Sequence, residues 1–201
     1  MAWTNPTTRS TGNLITASIW NTDLVDNLVY LKSSINAQIQ IDADAWTASI
    51  TDGASQNVVE MTTNDVTVSH LEFANSGGKV YAERKVVMPG DYNSGTVTAT
   101  FYWTVNSTST NSVVWGLQAR SFANSAALDQ AYGTAQEVTS AGTGSVDRLI
   151  KTSATSAITI AGSPAPNAFT MFKVYRDSGH ASDTLAATAR LLSVLIEYTR
   201  T

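Results

Sequence analysis

The chain contains no cysteine and only two histidines among its 201 residues. The absence of cysteine excludes disulfide bonds, thiolate nucleophiles and cysteine-ligated zinc. Charged residues make up only 14% of the chain, which is well below the roughly 25% of an average soluble domain. Serine, threonine and asparagine supply the polarity instead, and this bias favours strands and turns.

Clusters of positive charge and long apolar runs are also missing. The net charge is −4, and the densest charged group is Glu83-Arg84-Lys85. We therefore expect no nucleic-acid partner, because binding to phosphates depends on clustered positive charge. The sequence has no run of about 18 apolar residues, so we expect no membrane insertion. The first residues, MAWTNPTTRSTGN, lack the basic and apolar regions of a secretory signal.

Short strand-like runs separated by turn residues fill the chain from residue 56 to residue 201. One run, 96–105, alternates apolar residues with threonines and tyrosine, and two more, FTMFKVYRD and RLLSVLIEYT, occur near the end of the chain. Trp103 and Trp115 fall on apolar faces, so we expect both in the core. Eight or nine such runs predict a mainly β fold: a jelly-roll-like antiparallel β-sandwich over residues 56–201, preceded by an arm and one α-helix.

The N-terminal quarter divides into three predicted segments: an extended arm over 1–16, a helix over 17–39 and a linker over 40–55. Thr16 or Ser18 can cap the helix. Leucine and isoleucine recur there at spacings of four, three and four, which indicates an apolar seam for self-association. The alternative is a helix packed on its own β domain. The residues of this predicted oligomerisation seam are Leu24, Leu28, Leu31 and Ile35.

The arm contains one large apolar side chain, Trp3, followed by Pro6. Aromatic residues are favoured anchors at protein interfaces, so Trp3 and Pro6 predict an attachment arm that contacts a neighbouring subunit or another protein. The alternative is that Trp3 folds back on its own domain.

Candidate catalytic groups are few and scattered. Asp42 and Asp44 form a D-x-D pair, and His180 lies in an acidic loop, but neither has the ligand spacing of a metal site. His70 stands alone within a predicted strand. We therefore predict no catalytic, cofactor-binding or metal-binding residues, and a protein that is not an enzyme. Three aromatic residues fall in predicted loops, where they suit either carbohydrate stacking or subunit contacts: Trp46, Tyr92 and Tyr132.

The N-terminal stretch WTNPTTRSTGNLITASIWNTDLVDNLVYLKSSI resembles the start of small tailed-bacteriophage virion proteins. That start is a Trp/Pro/Thr arm, an entry of the T-A-S/A…W/L-N type that reads TASIWN in this chain, and an acidic helix with D-N-L. The segments TFYWTV, VVWGLQARSF, VYRDSGHASDTL and ARLLSVLIEYT are similar to the β domain of the same proteins. The resemblance implies a tail-fibre-like or head-decoration-like structural protein with a jelly-roll β domain, and it carries over no catalytic or ligand residue.

From this resemblance we expect a homotrimeric fibre, spike or receptor-binding tail component, assembled in the host bacterial cytoplasm and located in the virion. Its expected partners are copies of itself, other virion proteins through the arm, and a host surface glycan. The alternative location is the phage head, as a capsid decoration or head-fibre protein. A polysaccharide-degrading enzyme is the third hypothesis, and its candidate acids are dispersed: Glu60, Glu72, Glu83, Asp91, Asp129 and Glu137.

Overall fold

The computed structural model describes residues 3–6, 8, 10–34 and 37–201, and within them two six-stranded β-sheets pack face to face. A helical segment precedes the sheets. It consists of α1 (Ala17–Trp20), a π-helical turn (Asn21–Asp26) and α2 (Asn27–Ser34), and is called here the N-terminal helix. The strands are β1 (Ala37–Asp42), β2 (Thr47–Ala48), β3 (Ser55–Met61), β4 (Val66–Phe73), β5 (Lys79–Val87), β6 (Tyr92–Thr104), β7 (Ser112–Phe122), β8 (Gln136–Ala141), β9 (Ile150–Lys151), β10 (Ala161–Gly162), β11 (Phe169–Asp177) and β12 (Ala189–Arg200).

The strand order confirms the predicted jelly-roll-type β-sandwich. Sheet A runs β3-β4-β12-β6-β9, with β1 also paired to β12, and sheet B runs β10-β7-β11-β5-β2, with β8 also paired to β7. Among these strand pairs only β10 and β7 are parallel. The last two strands, β11 and β12, each lie inside a different sheet, so the C-terminal part of the chain forms the middle of both layers.

Aromatic side chains from both sheets meet at the centre of the core. Trp115 of β7 stacks on Phe101 of β6 with ring centroids 5.9 Å apart, and it meets Phe73 of β4 edge to face at 5.0 Å. The ring centroid of Trp103 of β6 lies 6.3 Å from that of Trp115. All four side chains are fully buried, which confirms the prediction that Trp103 and Trp115 are core residues. Such pairs add stabilisation beyond the burial of their area.

A buried arginine joins the two sheets at one end of this core. Arg176, on the inner face of β11, donates from Nε and Nη2 to both carboxylate oxygens of Asp183, at 2.9 and 2.8 Å. Its Nη1 donates to the carbonyls of Phe73 in sheet A, at 3.1 Å, and of Ala187, at 2.8 Å. Its Nη2 also donates to the carbonyl of Leu185. All five donors of the guanidinium are thereby used, which is how a fully buried charge becomes tolerable.

The same ion pair fixes the polar segment between β11 and β12. Asp183 accepts a third hydrogen bond, at 3.0 Å, from the backbone N–H of Val114. The backbone N–H groups of Thr184 and Leu185 donate to the carbonyl of Ser112, at 2.8 and 2.9 Å. These hydrogen bonds hold the segment against the sandwich and thereby fix the position at which β12 begins.

The arm lies against the N-terminal helix of its own chain. The side chain of Asn27 accepts from the backbone N–H of Thr4, at 2.9 Å, and donates to the Thr4 carbonyl at 2.7 Å. It also donates to the carbonyl of Asp23, within the π-helical turn, at 3.3 Å. Trp3 packs on Tyr30 with ring centroids 6.3 Å apart.

Two segment boundaries predicted from the sequence are wrong. The helix ends at Ser34, and residues 37–39 belong to strand β1 instead. Residues 40–55 are not a linker, because they complete β1, form a short 3₁₀ turn (Ala43–Ala45), and add β2 to the edge of sheet B. β1 gains a full antiparallel ladder with β12, and this outweighs continuation of the helix. The predicted cap is confirmed, since Thr16 accepts from the N–H of Ile19 at 3.3 Å.

We predict that Asp183→Asn lowers the free energy of unfolding by about 3 kcal/mol or more, because it leaves the buried Arg176 charge without a counter-charge. Chemical denaturation followed by tryptophan fluorescence measures the change. The matched control is Asp177→Asn, six residues earlier, where the carboxylate pairs with the partly exposed Lys79 at 3.4 Å. That control should cost less than about 1 kcal/mol, and equal losses in the two variants would contradict the prediction.

Candidate functional site

A groove of about 650 Å³ crosses the outer face of sheet A where two strands share one edge of β12. β4 pairs with β12 only over Ala189–Leu191, and β1 takes over the same edge from Ser193 to Tyr198. β12 also has a bulge at this point. Leu191 pairs with Trp103, and Ser193 pairs with Tyr102, the residue before Trp103, so Leu192 is an extra residue in β12. Bulges of this kind often re-aim side chains beside binding sites.

The hairpin of β3 and β4 forms one wall of the groove. Residues 66–70 of β4 continue to pair with β3 after the contact with β12 has ended, so this part of the hairpin leaves the sheet. β1 and the 3₁₀ turn form the other wall, and β12 with β6 forms the floor. The groove is lined by Gln38, Gln40, Asp42, Ala43, Asp44, Thr67, Val68, Ser69, Tyr102, Leu149, Leu192, Ser193 and Leu195.

The lining combines one aromatic ring with polar side chains. Tyr102 is half-buried on the outer face of β6, between Ser193 of β12 and Lys151 of β9. On β1, alternation brings Gln38, Gln40 and Asp42 to the same outer face. The amide of Gln40 donates to Asp42 at 2.8 Å, which orients both groups along the wall.

The groove continues into a smaller recess of about 390 Å³ with a more apolar lining. Val68, Leu149 and Leu192 border both spaces. Met61 and Val66 of the β3–β4 hairpin extend the apolar wall of the recess. The result is a continuous surface in which a polar trough leads to an apolar hollow.

The outer face of sheet B carries lysines and tyrosines that pair with one another. Lys79 contacts Glu137 at 3.2 Å and Asp177 at 3.4 Å, and its Nζ lies 4.2 Å from the ring centroid of Tyr175. Tyr175 donates to Glu137 at 2.6 Å across Gly116, where a Cβ would lie only 2.2 Å from its ring. These groups pair with one another through ion pairs and hydrogen bonds, so we interpret this face as a network that stabilises the fold.

The pKa values of this network follow from its contacts. Burial alone would raise the pKa of Glu137, but the hydrogen bonds from Tyr175 and Lys79 lower it below its ordinary value. Burial alone would lower the pKa of Lys79, but Glu137 and Asp177 raise it. Burial and the bond to Glu137 raise the pKa of Tyr175.

The described residues of the predicted oligomerisation seam are exposed on the N-terminal helix. Leu24, Leu28 and Leu31 are 40%, 56% and 44% accessible, and Ile35 lies outside the described residues. In the predicted attachment arm, Pro6 is exposed and Trp3 is 44% accessible in its contact with Tyr30. The structure therefore places Trp3 on its own helix while leaving much of its ring open.

The other candidates from the sequence do not converge on one site. Asp183 is occupied by Arg176, the ring of buried His70 contacts Glu72 at 3.2 Å, and His180 accepts from the N–H of Ser182 at 3.0 Å. Within the described residues, no group of three or more histidine and acidic side chains is placed to hold a metal ion. Four of the dispersed acids contact separate cations: Glu72 with Arg190, Glu83 with Lys173, Asp91 with Arg200, and Glu137 with Lys79.

Two aromatic residues expected in exposed loops are buried instead. Trp46 donates to the carbonyl of Ile41, and Tyr92 lies at the start of β6 against Tyr198. Both are therefore unavailable for a ligand, whereas Tyr132 stays partly accessible beside Lys173. Tyr102 was missed as a binding residue because the residues on the same face of the strand, two positions before and after it, are threonines. Its outward position nevertheless follows from the alternation of 96–105.

No protein-family model matches the chain, and no curated protein matches it. It is similar to solved structures of small β domains. One is CBM35 from Cellvibrio japonicus Abf62, at 10% identity and a TM-score of 0.46, covering 82% of this chain and 99% of that chain. Another is the CBM22-2 xylan-binding domain from Paenibacillus barcinonensis Xyn10C, at 17% identity and a TM-score of 0.45. This similarity covers 81% of this chain and 99% of that chain.

A third similar structure is the C-terminal CBM6 of LamC from Zobellia galactanivorans, at 7% identity and a TM-score of 0.45, covering 80% of this chain and 98% of that chain. Among the helices that the structure describes, none is long and apolar enough to cross a membrane.

We predict that acid weakens the wild-type protein more than the Glu137→Gln variant. A carboxylate with a lowered pKa stabilises the fold above its unfolded pKa, and that stabilisation is lost as the pH falls through the folded pKa. The variant should be less stable near pH 7, and the gap should narrow as the pH falls below the ordinary glutamate pKa of 4.5. Thermal unfolding between pH 7 and pH 3 measures this. Tyr175→Phe, which removes one of the two hydrogen bonds, should lie between them, and parallel pH curves for all three proteins would contradict the prediction.

Proposed function

We propose that this protein is a non-enzymatic structural component of a bacteriophage particle, most simply a homotrimeric fibre, spike or receptor-binding tail component. The N-terminal helix gathers the copies, the arm attaches them to other virion proteins, and the β-sandwich is displayed outward. The exposed apolar surface of the helix is the observation that carries the proposal, and the resemblance of the N-terminal stretch to small virion proteins supplies the setting.

The apolar surface of the helix needs a partner. Leu24, Val25, Leu28, Val29 and Leu31 are all between 40% and 56% accessible in the single chain. An isolated helix of this length is only marginally stable in water, because most helical stability in proteins comes from packing an apolar face. Burial of apolar area contributes about 25 cal/mol per Å², so association of these side chains would stabilise the helix substantially. A second and a third copy offer the same surface, and closed symmetry keeps such an assembly finite.

The arm is already ordered along the helix in the single chain, which favours its use at an interface. The hydrogen bonds between Asn27 and Thr4 hold it along the helix, so it does not have to be ordered from a random chain when a partner binds. Trp3 packs on Tyr30 and keeps nearly half of its surface accessible. The open part of this ring can therefore contact another virion protein.

A capsid decoration or head-fibre protein is the second candidate, because the same helix and arm would serve equally on the phage head. The two locations differ in copy number, since a decoration protein occurs in hundreds of copies and a tail tip in a few.

We predict that replacing Leu28 and Leu31 together with Asp converts the oligomer to monomers. The substitutions place charges in an apolar interface, where burial is costly, but leave the sandwich untouched. Light scattering coupled to size exclusion measures the mass against the 21.4 kDa of one chain. The control is Ile50→Asp, which removes a fully exposed apolar side chain far from the helix along the chain and should leave the mass unchanged. An unchanged oligomer in the double variant would contradict the proposed role of the helix.

Deletion of residues 1–15 should give a protein that folds but no longer joins particles. The sandwich and the Thr16 cap remain intact, while the arm with Trp3 is lost. Purified particles assembled with the truncated chain in place of the full chain are analysed by immunoblot for its presence, and circular dichroism reports the fold. Incorporation at the normal level would refute the attachment role.

A further inference from the structure

We propose that the groove on the outer face of sheet A binds a glycan that contains N-acetylated amino sugars and no acidic sugars. The inference rests on the proposed function and deepens it, because it names what the displayed sandwich recognises. It is carried by the joint geometry of Tyr102, the polar wall of β1, the two acids at its end, and the apolar recess beside them.

Tyr102 supplies a stacking platform. Its neighbours on the strand, Thr100 and Thr104, are buried, so the backbone beneath the ring is held in the middle of sheet A. Lys151 lies on the β9 side, with Nζ 5.7 Å from the ring centroid. On the other side, towards β12, the ring borders the groove beside Ser193. A flat ring at the floor of a shallow polar trough suits the apolar face of a pyranose ring.

The walls supply hydrogen-bonding groups at a regular spacing. Gln38, Gln40 and Asp42 occupy alternate positions of β1, which places each of them about 7 Å from the next along one wall. Ser69 and Thr67 stand on the opposite wall. Amides, carboxylates and hydroxyls of this kind both donate and accept, as sugar hydroxyls do.

The charge of the lining selects against anionic sugars. Asp42 and Asp44 both border the groove, whereas the nearby cation, Lys151, lies on the β9 side of Tyr102 and is not among the residues that line the groove. A uronic acid, a sialic acid or a phosphorylated sugar would bring a like charge against these carboxylates, which is unfavourable in a partly desolvated groove.

The apolar recess selects for an acetyl group. Val66, Val68, Leu149 and Leu192 line a hollow that opens from the polar trough. A sugar stacked on Tyr102 places its substituents towards the groove walls, and a methyl group is the part of an N-acetyl substituent that gains from leaving water. Polar residues at the border of the recess, among them Thr63, Asn64 and Thr104, can bond the amide of this substituent, whereas the apolar wall offers no hydrogen bond to a plain hydroxyl.

The test measures binding of four soluble probes to the full-length protein by isothermal titration calorimetry. Chitohexaose carries N-acetyl groups, cellohexaose carries hydroxyls, glucosamine hexamer is cationic, and hexagalacturonate is anionic. We expect chitohexaose to bind most tightly, cellohexaose more weakly, and hexagalacturonate not at all. Absence of chitohexaose binding overturns the proposal, and so does a preference for the cationic or anionic probe.

Variants locate the site. Tyr102→Ala should weaken chitohexaose binding about tenfold, because it removes the stacking platform, while Tyr102→Phe should retain it. Leu149→Asp changes an exposed residue of the recess and should remove the preference for chitohexaose over cellohexaose without affecting folding. Tyr132→Ala, on the sheet B side, is the matched control and should bind normally. Undiminished binding in both Tyr102→Ala and Leu149→Asp would overturn the proposed location.

The same samples separate this inference from the proposed function. The Leu28→Asp, Leu31→Asp double variant should bind chitohexaose with the affinity per chain of the wild type, because the helix does not line the groove. Loss of glycan binding with intact oligomers would overturn only the inference, whereas monomeric wild-type protein that binds the glycan would overturn only the role of the helix.

Discussion

The buried pair of Arg176 and Asp183 is the constraint on which the rest of the sandwich depends. Removing two charges from water is costly, and here the cost is offset because the guanidinium uses all five donors and the carboxylate accepts three hydrogen bonds. The guanidinium belongs to β11 of sheet B, and its acceptors come from sheet A and from the segment between the last two strands. One side chain therefore fixes the spacing of the layers at that end of the core.

The position of β12 follows from this constraint, and the groove follows from the position of β12. Once Leu185 and Ala187 are held by Arg176, β12 starts beside Phe73 of β4 and bulges at Leu192. The bulge and the change of partner from β4 to β1 open the trough that Tyr102 floors. β1 also follows the N-terminal helix closely in the chain, so one wall of the groove lies next to the element that we propose for assembly.

Much of the sandwich could be predicted from the sequence because its strands alternate regularly. The alternation of 96–105 placed Trp103 in the core, and the two final strands agree with the predicted runs. The error at β1 had a visible cause. Residues 37–42, AQIQID, have the period of a strand, but Ile39 also extends the helical seam of leucines. The strand that competes for these residues, β12, pairs with them from 151 to 161 residues further along the chain.

The groove could not be predicted, because it depends on where strands begin and stop pairing. Gln38, Gln40 and Tyr102 come from elements that are distant in the chain, and their proximity requires the register of β12 against β1 and β6. Asp183 belongs to the acidic loop around His180, and only the fold shows that Arg176 takes its carboxylate. The seam of Leu24, Leu28 and Leu31, in contrast, was predicted from spacing alone, and self-association through it stays a prediction.

The most direct test of the central claim is imaging of intact phage particles at residue resolution, with the copy number and position of this chain determined. We predict threefold-symmetric projections in which the helices of residues 17–34 pack together at the base and the sandwiches point outward with the Tyr102 groove uncovered. A few copies at the tail would support the receptor-binding form, and hundreds on the head would support the decoration form. Particles that lack the protein, or contain it with the helix surfaces unpaired, would contradict the claim.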